Sequence, residues 1–335
     1  MLNSINIGNN FTSIKKYILK TKEKLLKIPI LKSLVKLADK IRVPGFEGMS
    51  LYDLLEMYIV GIINGAVTSR AGSIAFSFFM ALFPFVLFVL NLIPYIPIEN
   101  FQEDFMYLVE QALPPKTADN VDIVIRDIAN NTHGGLLSSV FLLSIFLMTN
   151  GVNALFSGFE YTYHKIKTRN VVQQYVVALF SSLILALLLL VTVAVIIYFE
   201  IAVEKLTDKG FVKDDIFWIQ VGKYPILLFM LFVSVSILYF FGTKEGRKIR
   251  FFSAGAIMTT FLIIVNFKIF GIYVSKFAKY NELYGIIGTV LIIMLFIWLN
   301  SIILLLGYEL NTCILGLRKK VIKQHKNNYK LKEEI

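Results

Sequence analysis

A chain of 335 residues that is 56% hydrophobic, 14% aromatic and only 17% charged carries more apolar side chain than a water-soluble domain of that size can bury. Its formal charge of +11 gathers at the two ends and in short loops. With no zinc-finger, RNA-binding or recognition-helix pattern beside it, that charge points to anionic lipid headgroups and argues against nucleic acid. The single Cys313 rules out an internal disulfide and a thiolate metal cage.

Residues 1–12 are polar. From Ser13 to Arg42 the chain turns basic and amphipathic, with Ile14, Ile18, Leu25, Leu34, Leu37 and Ile41 set among nine lysines and Pro29 dividing the run. Such a sequence either lies along an anionic membrane surface as a helix or forms a solvated basic arm. Pro44 and Gly45 mark a joint, after which Leu51, Leu54, Leu55, Tyr58, Ile59 and Ile62 resume helical spacing behind a Ser50/Asp53 cap. Gly61 and Gly65 form a GxxxG step that permits close helix packing. No short apolar core with a small-residue cleavage site precedes residue 51, so the first span is expected to act as an uncleaved anchor.

Six long uncharged runs follow, predicting spans at 71–97, 135–157, 171–199, 217–241, 251–275 and 284–312, each near or beyond the roughly 20 residues needed to cross a bilayer core. Between them the charge of the loops alternates. Residues 1–70 hold eleven Lys or Arg against five acids, whereas 98–133 hold only Lys116 and Arg126 against seven acids. The loop with Lys165, Lys167 and Arg169 is basic again, 200–215 acidic, 243–250 basic through Lys244, Arg247, Lys248 and Arg250, the short loop with Lys276, Lys279 and Glu282 the weakest of the series though still poorer in basic residues than its neighbours, and the tail after Asn311 basic. Excess Lys and Arg stay on the cytoplasmic side, so the expected fold is all-α: a polytopic protein of the cell membrane with six transmembrane helices and both termini cytoplasmic. It divides into a basic arm at 1–49, a membrane domain at 50–315 and a basic tail at 316–335. Phe101, Phe105, Leu108, Val109 and Ala112, then Val121 to Ile128 beyond Pro114 and Pro115, predict two amphipathic interfacial helices in the first outer loop.

Polar groups inside the spans mark candidate sites, because hydrocarbon makes them costly. Asn150 and Asn153 share one face of the second span; with Asn300, Glu309 and Asn311 on the sixth they are candidates to line a substrate path, the alternative being hydrogen bonds between helices. Arg70 and Glu309 stand at matching depth and are candidates for an ion pair joining the first and last spans, or for two separate interfacial charges. Pro84 and Pro225 predict kinks. Lys268 lies about 12 Å from the outer end of its span, within reach of snorkelling. No HxxxH or HxH pair, P-loop or GxSxG elbow is present, so neither a metal, nor ATP-driven action, nor enzyme chemistry has a foothold, and no cofactor is expected.

Three stretches resemble the BrkB/YihY-type family of integral membrane proteins: AGSIAFSFFMALFP at 71–84, MTNGVNALFSGFEYTYH at 148–164 and, most closely, YGIIGTVLIIMLFIWLNSIILLLGYELN at 284–311. The resemblance spans about residues 50–315. It implies six helices with both ends inside, and recurrent positions at Pro84, Asn153, Tyr284, Gly285, Gly288, Glu309 and Asn311; Tyr284, Gly285 and Gly288 are read as structural. Members have been proposed as exporters or lipid translocators, and some carry an older ribonuclease label that this chain's residues do not support. The expected function is therefore transport or export of a lipid or small solute. The alternative is a non-transporting scaffold that binds partners, anionic lipids among them, through its basic termini.

Overall fold

The computed structural model describes residues 66–92, 96–98, 139–162, 168–209, 215–276 and 286–333, together with positions 52, 58, 59, 62, 101, 103–105 and 107. The basic arm at 13–42, the Ser50/Asp53 cap, the Gly61/Gly65 step, the second loop helix at 121–128, Tyr284 and Gly285 lie outside these residues. Among the described residues every regular element is helical: α1 (Val67–Leu92), α2 (Ser139–Glu160), α3 (Val171–Asp208), α4 (Asp215–Gly242), a 3-10 turn at Gly246–Lys248, α5 (Ala254–Lys276) and α6 (Ile286–Glu333). Two compact units divide the chain, Gly65–Asn311 and Met1–Asn64 with Thr312–Ile335. In the latter, positions 52, 58, 59 and 62 are helical, and α6 carries its helix through the basic tail. The remaining description concerns Gly65–Asn311.

Five stretches, Phe141–Glu160, Val171–Asp208, Phe217–Gly242, Ala254–Val274 and Val290–Gly316, are long and apolar enough to cross a membrane, and α1 holds a shorter apolar stretch at Val67–Leu82. Taken whole, α1 has 26 residues, about 39 Å at 1.5 Å per residue. Helix is the form these sequences must take in hydrocarbon, since it satisfies every backbone group within the segment. Several small polar residues inside the runs are satisfied within the helix as well: the hydroxyls of Thr149, Thr192, Ser234, Thr260 and Ser301 each donate to the carbonyl one turn back. Beyond the apolar run α3 continues to Asp208, because Glu200, Glu204 and Lys205 favour helix once the chain meets water.

Antiparallel packing of α1 on α2 depends on small residues. A Cβ on Gly151 would lie 2.8 Å from that of Ala81, and one on Gly158 would lie 2.6 Å from Ile74 Cδ1, so the two backbones come together closely. Farther along, Phe88 stacks on Phe141 at 5.1 Å. Phe88, Val89, Met148, Ala186, Leu190, Val193 and Ile197 form a buried core shared by α1, α2 and α3, into which Phe101 and Phe105 also insert. Those two rings come from the first outer loop, where positions 101, 103, 104, 105 and 107 are helical. Phe101 and Phe105 are buried while Glu103 and Tyr107 are exposed. The amphipathic period predicted for this loop therefore packs its apolar side onto the bundle.

One antiparallel register runs the length of the α5–α6 contact. Gly255 lies against Asn311, Thr259 against Gly307, Phe270 against Phe296, and Val274 with Ile292. On their other faces the helices leave large apolar side chains uncovered, among them Phe180 and Leu187 on α3, Phe229 on α4, and Ile257, Phe261 and Ile272 on α5. A water-facing surface does not tolerate such a continuous apolar covering; a lipid-facing one requires it.

Gly307 is the tightest point. A Cβ there would overlap the Thr259 hydroxyl and lie 2.5 Å from Tyr239 Oη and 2.8 Å from the Gly255 carbonyl, whereas Gly72 has nothing within 4 Å. Gly307→Ala is therefore expected to destabilise the detergent-solubilised protein by about 1–3 kcal/mol. Gly72→Ala, inside α1, should leave stability unchanged or slightly raised. Thermal unfolding followed by circular dichroism reads both.

Candidate functional site

At one end of the bundle the start of α1, the end of α2, the start of α3, the end of α4, the start of α5 and the last turns of α6 before Asn311 are joined by a set of polar contacts. It begins at Arg70, in the first turn of α1. Arg70 Nη1 donates to the Gly158 carbonyl of α2 at 2.9 Å, and Nη2 stands 4.0 Å from Glu309 Oε2 of α6, with 9% of the arginine side chain and 1% of the glutamate exposed. The same carboxylate oxygen accepts a 2.7 Å hydrogen bond from the Thr162 hydroxyl, just past α2. The two residues that the sequence set at matching depth thus meet, with Thr162 and Gly158 completing the contact.

From there the network passes through α2 into α3 and α4. Glu160, the last residue of α2, accepts from the Arg169 backbone N–H at 3.1 Å. Arg169 then spreads its guanidinium over the open end of α4, Nη1 donating to the Phe241 carbonyl at 2.7 Å and Nη2 to that of Thr243 at 2.9 Å. Carbonyls at a helix C-terminus have no partner within the helix, and a cation is the favoured cap. Burial lowers the pKa of the Arg169 guanidinium, an effect opposed by the Glu160 carboxylate. Gln174, one turn into α3, turns its amide nitrogen to Glu160 at 3.0 and 3.2 Å and its oxygen to Ser157 Oγ at 2.8 Å, an orientation set by these two neighbours, with the Asn153 side chain 3.1 Å away.

Successive residues of α6 point about 100° apart, so Gly307, Tyr308 and Glu309 each meet a different set of neighbours. Gly307 admits α5. Tyr308 stacks on Phe159 of α2 at 4.3 Å and shares a 2.5 Å hydrogen bond with the Thr243 hydroxyl after α4. Glu309 faces Arg70. One turn after Gly307, Asn311 accepts from the Gly255 N–H at 2.9 Å and donates to Ser253 Oγ at 2.9 Å, capping α5 from another helix. Tyr239 Oη completes the set, donating to the Leu304 carbonyl at 2.8 Å and meeting the Thr259 hydroxyl at 2.5 Å.

The candidate asparagines take separate places. Asn153 belongs to the Gln174 contact and Asn311 to the α5 cap, whereas Asn300 folds its Nδ2 onto the Phe296 carbonyl of its own helix. Asn150 is half-buried and makes no hydrogen bond among the described residues. Gly288 is buried, Pro84 lies half-buried within α1, and Lys268 is exposed. Sequence reading missed Arg169, Gln174, Thr162, Thr243 and Ser253, all at helix ends, where sequence supplies no depth signal. It also missed Asn266 on α5. One turn inward from the Phe270·Phe296 contact on each helix, the α5–α6 register sets Asn266 opposite Asn300. Asn266 Nδ2 and Asn300 Oδ1 are buried without a hydrogen-bond partner among the described residues.

At the other end of the bundle, Lys223 of α4 pairs with Glu200 of α3 and sits 5.6 Å from the Tyr107 ring centroid. Asp104 has its pKa raised by burial and by Glu200 and Glu103, with Lys223 acting against them. Glu103, Asp104 and Glu200 thus share the end away from Arg70 with Lys223.

Long apolar helices with lipid-type outer faces, tied at one end by buried polar groups, define a multi-pass α-helical membrane protein. The sequence profile of the Virulence factor BrkB family matches residues 61–330, and the chain belongs to that family. It is 29% identical over 261 residues to a protein of Bacillus subtilis named ribonuclease-like protein YfkH, covering 76% of this chain and 91% of the relative. It is 25% identical over 264 residues to a UPF0761 membrane protein of Aliivibrio salmonicida, covering 76% and 80%. With a UPF0761 membrane protein of Coxiella burnetii it shares 23% identity over 251 residues, covering 73% and 87%. No solved structure matches the chain.

Truncating Asn311 to Ala strands the Gly255 N–H in a buried site and removes one of the two donors to Ser253 Oγ. The expected cost is about 1–3 kcal/mol, and Ser253→Ala, which takes the acceptor from both the Ala256 N–H and Asn311 Nδ2, should cost a comparable amount. Thermal unfolding of the two variants in the same detergent measures both.

Proposed function

We propose that this protein is a transporter or exporter of a lipid or small solute, with its path beside α1, α2 and α6 at the polar end. Arg70 and Glu309 carry the reading. An arginine and a glutamate, nearly enclosed between membrane helices, are costly to place there. Their separation of 4.0 Å leaves the charges near one another without the close bidentate geometry that makes a buried pair rigid. A site of that kind can exchange its internal partner for a ligand. Transport would run on an ion gradient or on the imbalance of the substrate itself, and the reading needs no enzyme chemistry.

The proposed topology has six spans in the cell membrane with both termini cytoplasmic, so the Arg70 end faces the cytoplasm and the basic termini lie against anionic headgroups. In a Cys313→Ser background, a cysteine at Lys116 should react with an impermeant maleimide added to intact cells, and one at Arg247 only after lysis. Equal labelling of both would overturn the orientation.

Glu309→Gln keeps the shape and removes the charge. In reconstituted vesicles it is expected to reduce lipid or solute flux to the protein-free background while leaving the circular dichroism spectrum and elution profile unchanged. Normal flux would remove Glu309 from the mechanism, and no flux in the unaltered protein would favour a scaffold.

A further inference from the structure

We propose that the free edge of the Arg70 guanidinium is a binding site for a phosphate-type oxyanion, either the headgroup phosphate of a lipid or a free phosphate. The proposal names a substrate class for the site assigned above to transport, and it rests on that reading for its purpose, though not for the binding itself.

A guanidinium is planar, and Nε and Nη2 direct two N–H groups in parallel from one edge, the arrangement that matches two oxygens of a phosphate or carboxylate. In Arg70 the opposite nitrogen, Nη1, is committed to the Gly158 carbonyl at 2.9 Å. Nε and Nη2 are both buried, and neither has a hydrogen-bond partner among the described residues. Glu309 is the neighbour that would be expected to fill this edge. Its Oε2 instead accepts from Thr162 at 2.7 Å and stays 4.0 Å from Nη2, beyond hydrogen-bond length. The fork is therefore positioned by one bond and left without a hydrogen-bond partner on the side that recognises an oxyanion. Arg169 and the loop residues Lys244, Arg247, Lys248 and Arg250 belong to the same end, where their field raises the local concentration of anions.

Glu309 has a definite role in this arrangement. Its carboxylate repels an incoming anion and competes for Nη2, which keeps binding weak enough for release, as transport requires. Removing its charge should tighten binding. A purely structural ion pair predicts the reverse: loss of Glu309 would leave Arg70 uncompensated and create no affinity for phosphate in particular.

Isothermal titration of the full-length protein in dodecyl maltoside tests this with three probes: dihexanoyl phosphatidic acid, inorganic phosphate, and dihexanoylglycerol as the control without phosphate. Saturable binding of a phosphate-bearing probe, and none of dihexanoylglycerol, is expected. Arg70→Gln should weaken it by at least about tenfold, the worth of one charge-assisted hydrogen bond. Arg70→Lys, which keeps the charge and loses the fork, should weaken it comparably, whereas Glu309→Gln should strengthen it several-fold. Because Arg70→Gln also threatens folding, the Lys variant and the Glu309→Gln gain decide the matter. Arg70-dependent binding of phosphatidic acid alone identifies a lipid headgroup; binding of inorganic phosphate as well identifies a free oxyanion. Unchanged affinity in Arg70→Lys, or no binding by either the unaltered protein or Glu309→Gln, overturns the proposal. Binding that survives while vesicle flux is absent overturns only the transport reading.

Discussion

A guanidinium withdrawn from water needs an acceptor that positions it and a counter-charge close by, and that requirement joins the helices at this end of the bundle. Arg70 reaches from the first turn of α1 to a carbonyl near the end of α2 and stands beside a glutamate of α6. Hydrophobic contact alone orders these helices poorly in a membrane, because lipid tails are as apolar as leucine. What distinguishes one helix arrangement from another is where buried polar groups find partners and where small residues allow backbones to touch. Both devices operate here: glycines at 151, 158, 255 and 307 set the approach of neighbouring helices, and the polar network sets their axial positions.

The network also resolves a problem common to every membrane helix end. Terminal N–H and C=O groups lie near the interface, where water reaches them only in part. Arg169 covers the carbonyls ending α4 and Asn311 takes an N–H beginning α5, each supplied by a different part of the chain. The helix ends are capped by one another. A change at one helix end is thereby felt by its neighbours.

The helices could be read from the sequence because hydrocarbon permits so few alternatives. Six uncharged runs were visible, and a helix lies at each of them. The helices run past the apolar stretches where charged residues still favour helix: Glu200 to Asp208 continue α3, and Val67 to Arg70 begin α1 before the apolar run. The pairing of Arg70 with Glu309 was approachable from depth alone, since both mark the same end of antiparallel spans. Partner choice among the asparagines was not. Asn153, Asn300 and Asn311 look alike in an apolar run, and their rotation about the helix decides whether each meets Gln174, its own backbone or the start of α5. Arg169 and Thr243 sat in stretches that read as ordinary loop. The compression of LLGYELN was legible as a motif, but its reason is three-dimensional: consecutive side chains serve different neighbours around one helix.

The central claim is that Arg70 and Glu309 act on each other across the α1–α6 contact, and a double-mutant cycle measures it most directly. Arg70→Gln and Glu309→Gln, made singly and together in the full-length protein, are compared by unfolding in one detergent. Either single change leaves a buried charge without its counterpart, at a cost of about 3–5 kcal/mol. The account predicts that the double variant loses little more than either single one. Losses that simply add would mean that the two charges are energetically independent, and would contradict it.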